Sequence, residues 1–253
     1  MKVELEKLIV GARKAFSQRD FHQALVLLNR AGALAIEDGM GDDVLVPILR
    51  GIGDARCGLE DWSGAEAHYR EAFERMEQLG LADSAEAAGL LCNLGYLLDK
   101  QQRFDDSEQA YHRALAVGTR EKGPDHPDLI PILNNMAYRF LSMEDLGRAQ
   151  ALLERSLAIV QAHVDPDHLA LVEPLNNLGE LYRRQGRAWQ ASELLLRALR
   201  ILEAKVPDES HQDLIVLLRN AAAALRDAGN AEEAEVLIQR AERIEGGTVD
   251  AAQ

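Results

Sequence analysis

Asparagine recurs at a fixed interval in this chain of 253 residues. Asn93, Asn135 and Asn177 follow one another at intervals of 42 residues, and Asn220 lies 43 residues after Asn177. A side-chain amide can donate and accept hydrogen bonds at the same time, which suits the alternating C=O and N–H groups of an extended peptide. Repeated asparagines therefore fit peptide recognition, or hydrogen bonding between neighbouring structural units.

Other reactive residues lack the spacing that catalysis or metal binding requires. The sequence contains no Gly-rich phosphate loop and no His-Glu-x-x-His, Gly-x-Ser-x-Gly or Cys-x-x-Cys motif. Cys57 and Cys92 show neither metal-ligand spacing nor a disulfide framework. His126, His168 and His211 occur once per interval, which places them in separate units, where loop hydrogen bonding explains them better than metal ligation. We predict no enzymatic activity, no metal site and no cofactor.

Charge and hydropathy exclude several partner classes. The chain has 28 Lys+Arg against 42 Asp+Glu, and its formal net charge of −14 disfavours nucleic acid and anionic membranes. Its N-terminus is charged, and no apolar stretch is long enough to cross a bilayer. We therefore expect a soluble cytoplasmic protein with no nucleic-acid partner and no membrane insertion.

Apolar residues spaced three and four apart predict pairs of helices that repeat along the chain. Leu5, Leu8 and Ala12 begin one such stripe, residues 17–20 interrupt it, and a second stripe begins at Phe21. The plan occurs six times, which predicts a single domain over residues 1–245 and a flexible C-terminal tail at 246–253. The predicted units are about 1–41, 42–83, 84–125, 126–167, 168–210 and 211–245.

Small residues occupy three fixed positions of the unit, so that its two helices can approach closely while larger side chains fill the grooves between them. Position eight is Gly95, Ala137, Gly179 and Ala222. Position twenty is Ala65, Ser107, Ala149, Ala191 and Ala234, and position twenty-seven is Ala72, Ala114, Ser156, Ala198 and Ala241.

This pattern resembles the tetratricopeptide repeat (TPR), specifically the longer kinesin light chain type with about 42 residues per repeat instead of about 34. The residues that carry the resemblance are Leu133-Asn134-Asn135-Met136-Ala137, Leu175-Asn176-Asn177-Leu178-Gly179 and the Gly-Pro-Asp-His-Pro-Asp junction at 123–128. The first two units lack the paired asparagines, and residues 221–224 of the sixth are all alanine. The resemblance implies an all-α fold, a right-handed α-solenoid of six TPR-like helix-turn-helix repeats.

The resemblance also implies that the recurring asparagines face a concave groove that binds extended peptides. Helical geometry adds groove positions three, six and seven residues after each asparagine. The predicted binding residues are Asn93, Tyr96, Asn134, Asn135, Tyr138, Asn176, Asn177, Arg183, Arg184, Asn220 and Arg226. The arginines can pair with ligand carboxylates or with Asp227 and Glu180 nearby. The amides can bind a ligand or only link neighbouring helices.

These observations favour a non-enzymatic adaptor or scaffold whose groove binds an extended peptide or a partner helix. One alternative is a structural self-assembly module acting through the repeat ends, where Leu237 and Ile238 have no following repeat to cover them and a homo-oligomer can form. Another is a peptide-sensing regulator.

Overall fold

The computed structural model describes residues 2–206 and 212–250, and only the backbone of Lys2 and residues 247–250. His211 lies outside the described residues. Regular structure in these ranges is entirely helical, and two short 3-10 helices, Pro127–Leu129 and Leu169–Leu171, precede α7 and α9. The α-helices are α1 (Lys2–Ser17), α2 (Phe21–Glu37), α3 (Asp42–Gly58), α4 (Trp62–Gln78), α5 (Ala85–Lys100), α6 (Phe104–Lys122), α7 (Ile130–Ser142), α8 (Leu146–His163), α9 (Val172–Arg184), α10 (Ala188–Lys205), α11 (Gln212–Asp227) and α12 (Ala231–Asp250).

The helices pair as successive hairpins, which confirms the predicted all-α fold of α-solenoid type built from helical repeats. The chain divides into two compact units, Met1–Asp128 and Leu129–Gln253, each with three hairpins. The prediction of a single domain over residues 1–245 stays a prediction. No helix within 2–206 and 212–250 combines the length and the apolarity that crossing a membrane requires.

The turn inside each hairpin has the same backbone form. One residue of each turn adopts a positive φ, and the following chain enters the second helix. These residues are Arg19 (57°), Glu60 (59°), Gln102 (62°), Glu144 (59°), Gly186 (73°) and Gly229 (86°). In three repeats an aspartate caps the second helix: the carboxylates of Asp20, Asp61 and Asp145 accept from the backbone N–H three residues ahead. Each cap satisfies a donor that the first helical turn leaves unpaired.

Close contact between the helices of a hairpin depends on the small residue at position eight. The ring of Tyr111 on α6, which is 1% exposed, lies against Gly95 on α5. A Cβ atom added to Gly95 would lie 2.7 Å from two carbons of that ring. Gly179 stands in the same relation to Leu195, at 2.6 Å from its Cγ. A methyl group at these positions therefore forces the two helices apart or displaces a buried side chain.

The last helix, α12, continues to Asp250, so residues 246–250 of the predicted tail extend the helix. The predicted flexibility of residues 246–253 stays a prediction. Gly246 and Gly247 do not end the helix, because glycine keeps its backbone N–H and lowers helix stability by only about 1 kcal/mol relative to alanine. Residues 251–253 lie outside the described part of the chain.

The substitution Gly95→Ala tests the close helix approach. We expect it to lower the free energy of unfolding by about 1–3 kcal/mol, because the new methyl group overlaps the buried Tyr111 ring. Urea denaturation gives this quantity. Adding Tyr111→Leu should restore much of the loss, because the fourth repeat combines alanine with leucine, Ala137 and Leu153, at the same two positions.

Gly89→Ala is the matched control, since Gly89 lies on the same helix and a Cβ there meets no atom within 4 Å. It should be neutral or stabilising by up to about 1 kcal/mol through helix propensity. Equal effects of the two substitutions would contradict the steric argument.

Candidate functional site

A groove in the second unit brings together six of the predicted binding residues. It runs between the first helices of three successive hairpins, α7, α9 and α11, and its cavity measures about 400 Å³. We call it the α9 groove. The residues that line it are Tyr138, Leu141, Ser142, Asn176, Asn177, Glu180, Arg183, Arg184 and Asn220.

Two amides on the wall of the α9 groove hydrogen bond to each other and keep further capacity. The Nδ2 amide of Asn220 donates to Oδ1 of Asn176 at 2.8 Å. Both side chains are half-buried, and the Nδ2 group of Asn176 and the Oδ1 atom of Asn220 have no partner among the described residues. One donor and one acceptor therefore remain on neighbouring helices, the combination that a peptide group requires.

Other asparagine side chains form hydrogen bonds between adjacent repeats. The hydroxyl of Tyr138 on α7 donates to Oδ1 of Asn177 on α9 at 2.7 Å, and Asn177 is only 6% exposed. Asn134, which is 5% exposed, donates to Oε1 of Glu173 at 3.5 Å. Both bonds join residues 39 positions apart, one helical turn less than the repeat length. Each therefore links the first helices of adjacent repeats.

Burial leaves part of each of these amides unsatisfied. The Nδ2 group of Asn177 and the Oδ1 atom of Asn134 are buried without a hydrogen-bond partner in the structure. Burial raises the pKa of the Tyr138 hydroxyl, and the nearby Glu173 carboxylate adds to the shift, so this hydroxyl remains a proton donor at neutral pH.

The arginines of the α9 groove are partly engaged. Arg183 makes a two-pronged contact with Glu180, through Nε and Nη2 at 2.9 Å each, and Nη1 lies 3.4 Å from Asp227. The hydrogen bonds to Glu180, chiefly, raise the pKa of Arg183. Arg184 approaches Glu180 at 3.5 Å and keeps 42% of its side chain exposed. Arg226 is exposed, and its guanidinium group has no polar partner among the described residues.

The two predicted residues of the first unit lie on α5. Asn93 donates from Nδ2 to Oδ1 of Asp54 at 3.1 Å, and the same oxygen accepts the Tyr69 hydroxyl at 2.7 Å. Tyr96 is 41% exposed, with the Lys100 ammonium 5.1 Å from its ring centroid. Asn93 therefore links repeats, whereas Tyr96 presents an aromatic surface to solvent.

The sequence predicted more residues than the α9 groove contains and omitted others. Asn134, the half-buried Asn135 and Arg226 belong to the same unit but do not line the cavity. Leu141, Ser142 and Glu180 line it and were not among the predicted binding residues, although they occupy the positions three, six or seven residues after an asparagine. Asp54, the hydrogen-bond partner of Asn93, was also missed. The two residues are 39 positions apart, so a search for residues that recur every 42 positions does not connect them.

Within the described ranges, no three His, Cys, Asp or Glu side chains converge in a way that could hold a metal ion. The chemistry of the α9 groove is instead that of hydrogen bonding by amides and a tyrosine beside paired charges.

Comparison with protein families agrees with the fold of repeated helical hairpins. The tetratricopeptide repeat family model matches residues 86–162 and 143–204. This chain is a tetratricopeptide-repeat protein. No curated protein matches the TPR chain significantly.

Solved structures share the fold over most of the TPR chain. BtubC (BKLC) from P. vanneervenii is 25% identical with a TM-score of 0.73, covering 96% of this chain and 92% of that one. A putative kinesin light chain with TPR-like repeats from Podosopora anserina is 15% identical, with a TM-score of 0.68 and coverages of 80% and 96%. NprR in complex with its cognate peptide NprX is 16% identical, with a TM-score of 0.62 and coverages of 95% and 67%. The apo form of NprR, a quorum sensor from B. thuringiensis, is also similar to this chain.

The substitution Tyr138→Phe tests the link between adjacent repeats of this TPR protein. We expect a loss of about 1 kcal/mol in the free energy of unfolding, because the buried Asn177 amide then keeps no partner. Thermal or urea denaturation measures the loss. Tyr96→Phe is the control, since the Tyr96 hydroxyl has no hydrogen-bond partner among the described residues and its removal should change stability by less than about 0.5 kcal/mol. A larger loss in the control would show that the link between repeats is not the cause.

Proposed function

We propose that this TPR protein is a non-enzymatic interaction scaffold that binds an extended peptide segment of a partner protein in the α9 groove. The fold supports protein or peptide interaction, since TPR proteins are generally non-catalytic interaction scaffolds. The specific site, the extended form of the ligand and the scaffold role are our proposal.

The observation that carries the proposal is the unused capacity of Asn176 and Asn220. The hydrogen bond between them fixes both side chains, so the remaining Nδ2 donor and Oδ1 acceptor have defined positions before a ligand arrives. A backbone C=O and N–H of an extended peptide match this pair. Because the amides are already ordered, binding costs less side-chain entropy than it would with mobile groups.

Charge in the α9 groove adds a preference for the ligand. Glu180 and Asp227 hold Arg183, while Arg184 keeps an exposed guanidinium group. This group favours a carboxylate beside the bound backbone, because guanidinium groups form strong charge-assisted bonds with carboxylates. The structure of NprR with its cognate peptide illustrates that this fold accommodates a peptide ligand in another protein.

The double substitution Asn176→Ala and Asn220→Ala tests the proposal. A peptide selected from a random display library against the wild type should bind about tenfold or more weakly to the double variant, because two hydrogen bonds to its backbone are lost. Isothermal titration calorimetry gives the affinity. Asn177→Ala is unsuitable for this purpose, since Asn177 is buried and its loss weakens the fold.

Asn29→Ala is the matched control, because Asn29 is an exposed asparagine on α2 in the other unit. It should leave the affinity unchanged. A peptide whose affinity survives in the double variant, while the variant unfolds like the wild type, would exclude the α9 groove as its site.

Self-assembly through the C-terminal repeat is the second candidate. Val236 on α12 is 63% exposed, which gives this surface one large apolar side chain. Leu237 and Ile238, however, already pack against the cluster of Ala222, Leu225 and Ala234. Glutamates at 232, 233 and 235 are exposed around them, so like charges oppose the pairing of two such surfaces.

We therefore expect a monomer in analytical ultracentrifugation at protein concentrations up to about 100 µM, a range in which weak dimers become detectable. A concentration-dependent dimer that Val236→Glu abolishes would favour self-assembly instead. Val236 is the position to change because its exposed side chain contributes little to folding, unlike Leu237.

A further inference from the structure

A second groove, in the first unit, has a different chemical character from the α9 groove. Its cavity of about 390 Å³ lies between α1 and α3. Leu5, Ile9 and Phe16 form its α1 side, and Val44, Ile48 and Asp54 lie on its α3 side. We call it the α1–α3 groove. Its lining is mainly apolar, with one carboxylate that is largely buried.

The position that carries an asparagine in later repeats is glycine in this groove. Gly51 precedes Asn93 by 42 residues and lines the cavity. Glycine offers no side-chain hydrogen bond, and the Leu28 side chain packs against it, since a Cβ atom added there would lie 3.0 Å from Cδ1 of Leu28. The α1–α3 groove therefore lacks the means by which the α9 groove can hold a peptide backbone, and its walls suit apolar side chains.

Asp54 lies on the α3 side of the groove, and hydrogen bonds fix the orientation of its carboxylate. Its Oδ1 atom accepts both the Tyr69 hydroxyl and the Asn93 amide, at 2.7 and 3.1 Å. Its Oδ2 atom has no hydrogen-bond partner among the described residues and is not sealed from solvent. A carboxylate fixed by two donors thus keeps one oxygen for a group that enters the groove.

The surrounding charges limit what that group can be. Burial raises the pKa of Asp54, while the hydroxyl of Tyr69 and the nearby positive charge of Arg50 oppose the rise. Arg50 makes no direct ion pair with Asp54, and both Arg50 and Arg13 are exposed at the groove. An exposed carboxylate, Asp43, also lines the cavity, so the exposed charges at the groove are of both signs, whereas the more buried Asp54 offers one oxygen that attracts a cation.

We propose that the α1–α3 groove is a second binding site, for a partner protein segment that places a single basic side chain next to aliphatic or aromatic ones. The apolar side chains contact Ile9, Phe16 and Val44, and the ammonium or guanidinium group donates to Oδ2 of Asp54. The site lies in the first unit and does not depend on ligand binding in the α9 groove.

The experiment uses the whole chain with labelled Ile, Leu and Val methyl groups and three acetylated, amidated peptides. The first peptide is Ser-Gly-Leu-Val-Lys-Leu-Gly-Ser, and the other two carry Gln or Glu in place of Lys. At about 150 mM salt, where distant charges are screened, the Lys peptide should shift the methyl signals of Ile9, Val44 and Ile48. It should bind about tenfold more tightly than the Gln peptide, as expected for one hydrogen bond to a charged group.

Asp54→Asn is the decisive variant, because asparagine keeps Oδ1 as an acceptor for Tyr69 and Asn93 while it removes the negative charge and replaces the Oδ2 acceptor by an NH2 group. It should abolish the preference for Lys over Gln. The matched control is Asp99→Asn, which makes the same change of net charge at another carboxylate that accepts a tyrosine hydroxyl, that of Tyr111 at 3.3 Å. Asp99 does not line the groove, so the control should keep the preference.

Ile9→Asn provides an independent test that does not involve Asp54. It should weaken the binding of the Lys and Gln peptides by similar factors, because both use the apolar wall. The proposal is overturned if the Lys peptide gives no saturable shifts at up to about 1 mM, or if the preference for Lys survives in Asp54→Asn. Shifts confined to Leu141 and Leu178 would place the peptide in the α9 groove. Shifts that grow with protein concentration alone would identify a second copy of the chain as the occupant.

Discussion

The close approach of the two helices in each hairpin is the constraint on which the rest of the structure depends. The fourth residue of the second helix is alanine in four repeats, and none of these residues has exposed surface: Ala24, Ala65, Ala149 and Ala191. Larger side chains there would separate the helices and shift the first helices that carry the candidate binding residues. The shape of each groove is therefore determined partly by residues that no ligand can touch.

Within that frame, the residue at one recurring position contributes to the chemistry of each groove. Asparagine at this position, Asn177 on α9 and Asn220 on α11, places amides where adjacent first helices meet, whereas Gly51 on α3 offers no side-chain hydrogen bond. The packing that holds each hairpin together does not change with this residue. Such a fold can vary its binding chemistry from repeat to repeat without altering its core, because the groove positions and the small core positions lie on different faces of the helix.

The sequence predicted the hairpins and the hydrophobic core well, because both depend on periodicities of three to four residues and of about 42 residues. It predicted the depth of the asparagines less well. Helical spacing shows which side of a helix a residue occupies, but Asn134 and Asn177 are buried because residues of the adjacent repeat, Glu173 and Tyr138, reach them. Those partners lie 39 residues away, so a search for recurrence at the repeat length does not find them.

The same limit explains Asp54, which bonds Asn93 across 39 residues and has no counterpart at 42. A contact between first helices of neighbouring repeats joins residues one turn out of register, since each first helix is displaced along its axis relative to the next. The bonds of Asn220 with Asn176 and of Arg183 with Asp227 span 44 residues, one more than the 43 that separate Asn177 from Asn220. Offsets on either side of the period, and not the period itself, therefore identify polar contacts in a repeat protein.

Linking repeats and binding a ligand are not exclusive roles for the asparagines. Asn177 and Asn134 are buried and used between helices, whereas the bond between Asn176 and Asn220 uses only one of the two polar atoms of each side chain. The same division holds for charge, because Glu180 orients Arg183 while Arg184 remains more exposed. The buried groups hold the helices together, and they also hold the more exposed polar groups in place. A ligand therefore meets donors and acceptors that the fold has already ordered. Recognition then depends on how well a peptide matches a fixed array, and a substitution at an inner residue weakens binding through loss of that order.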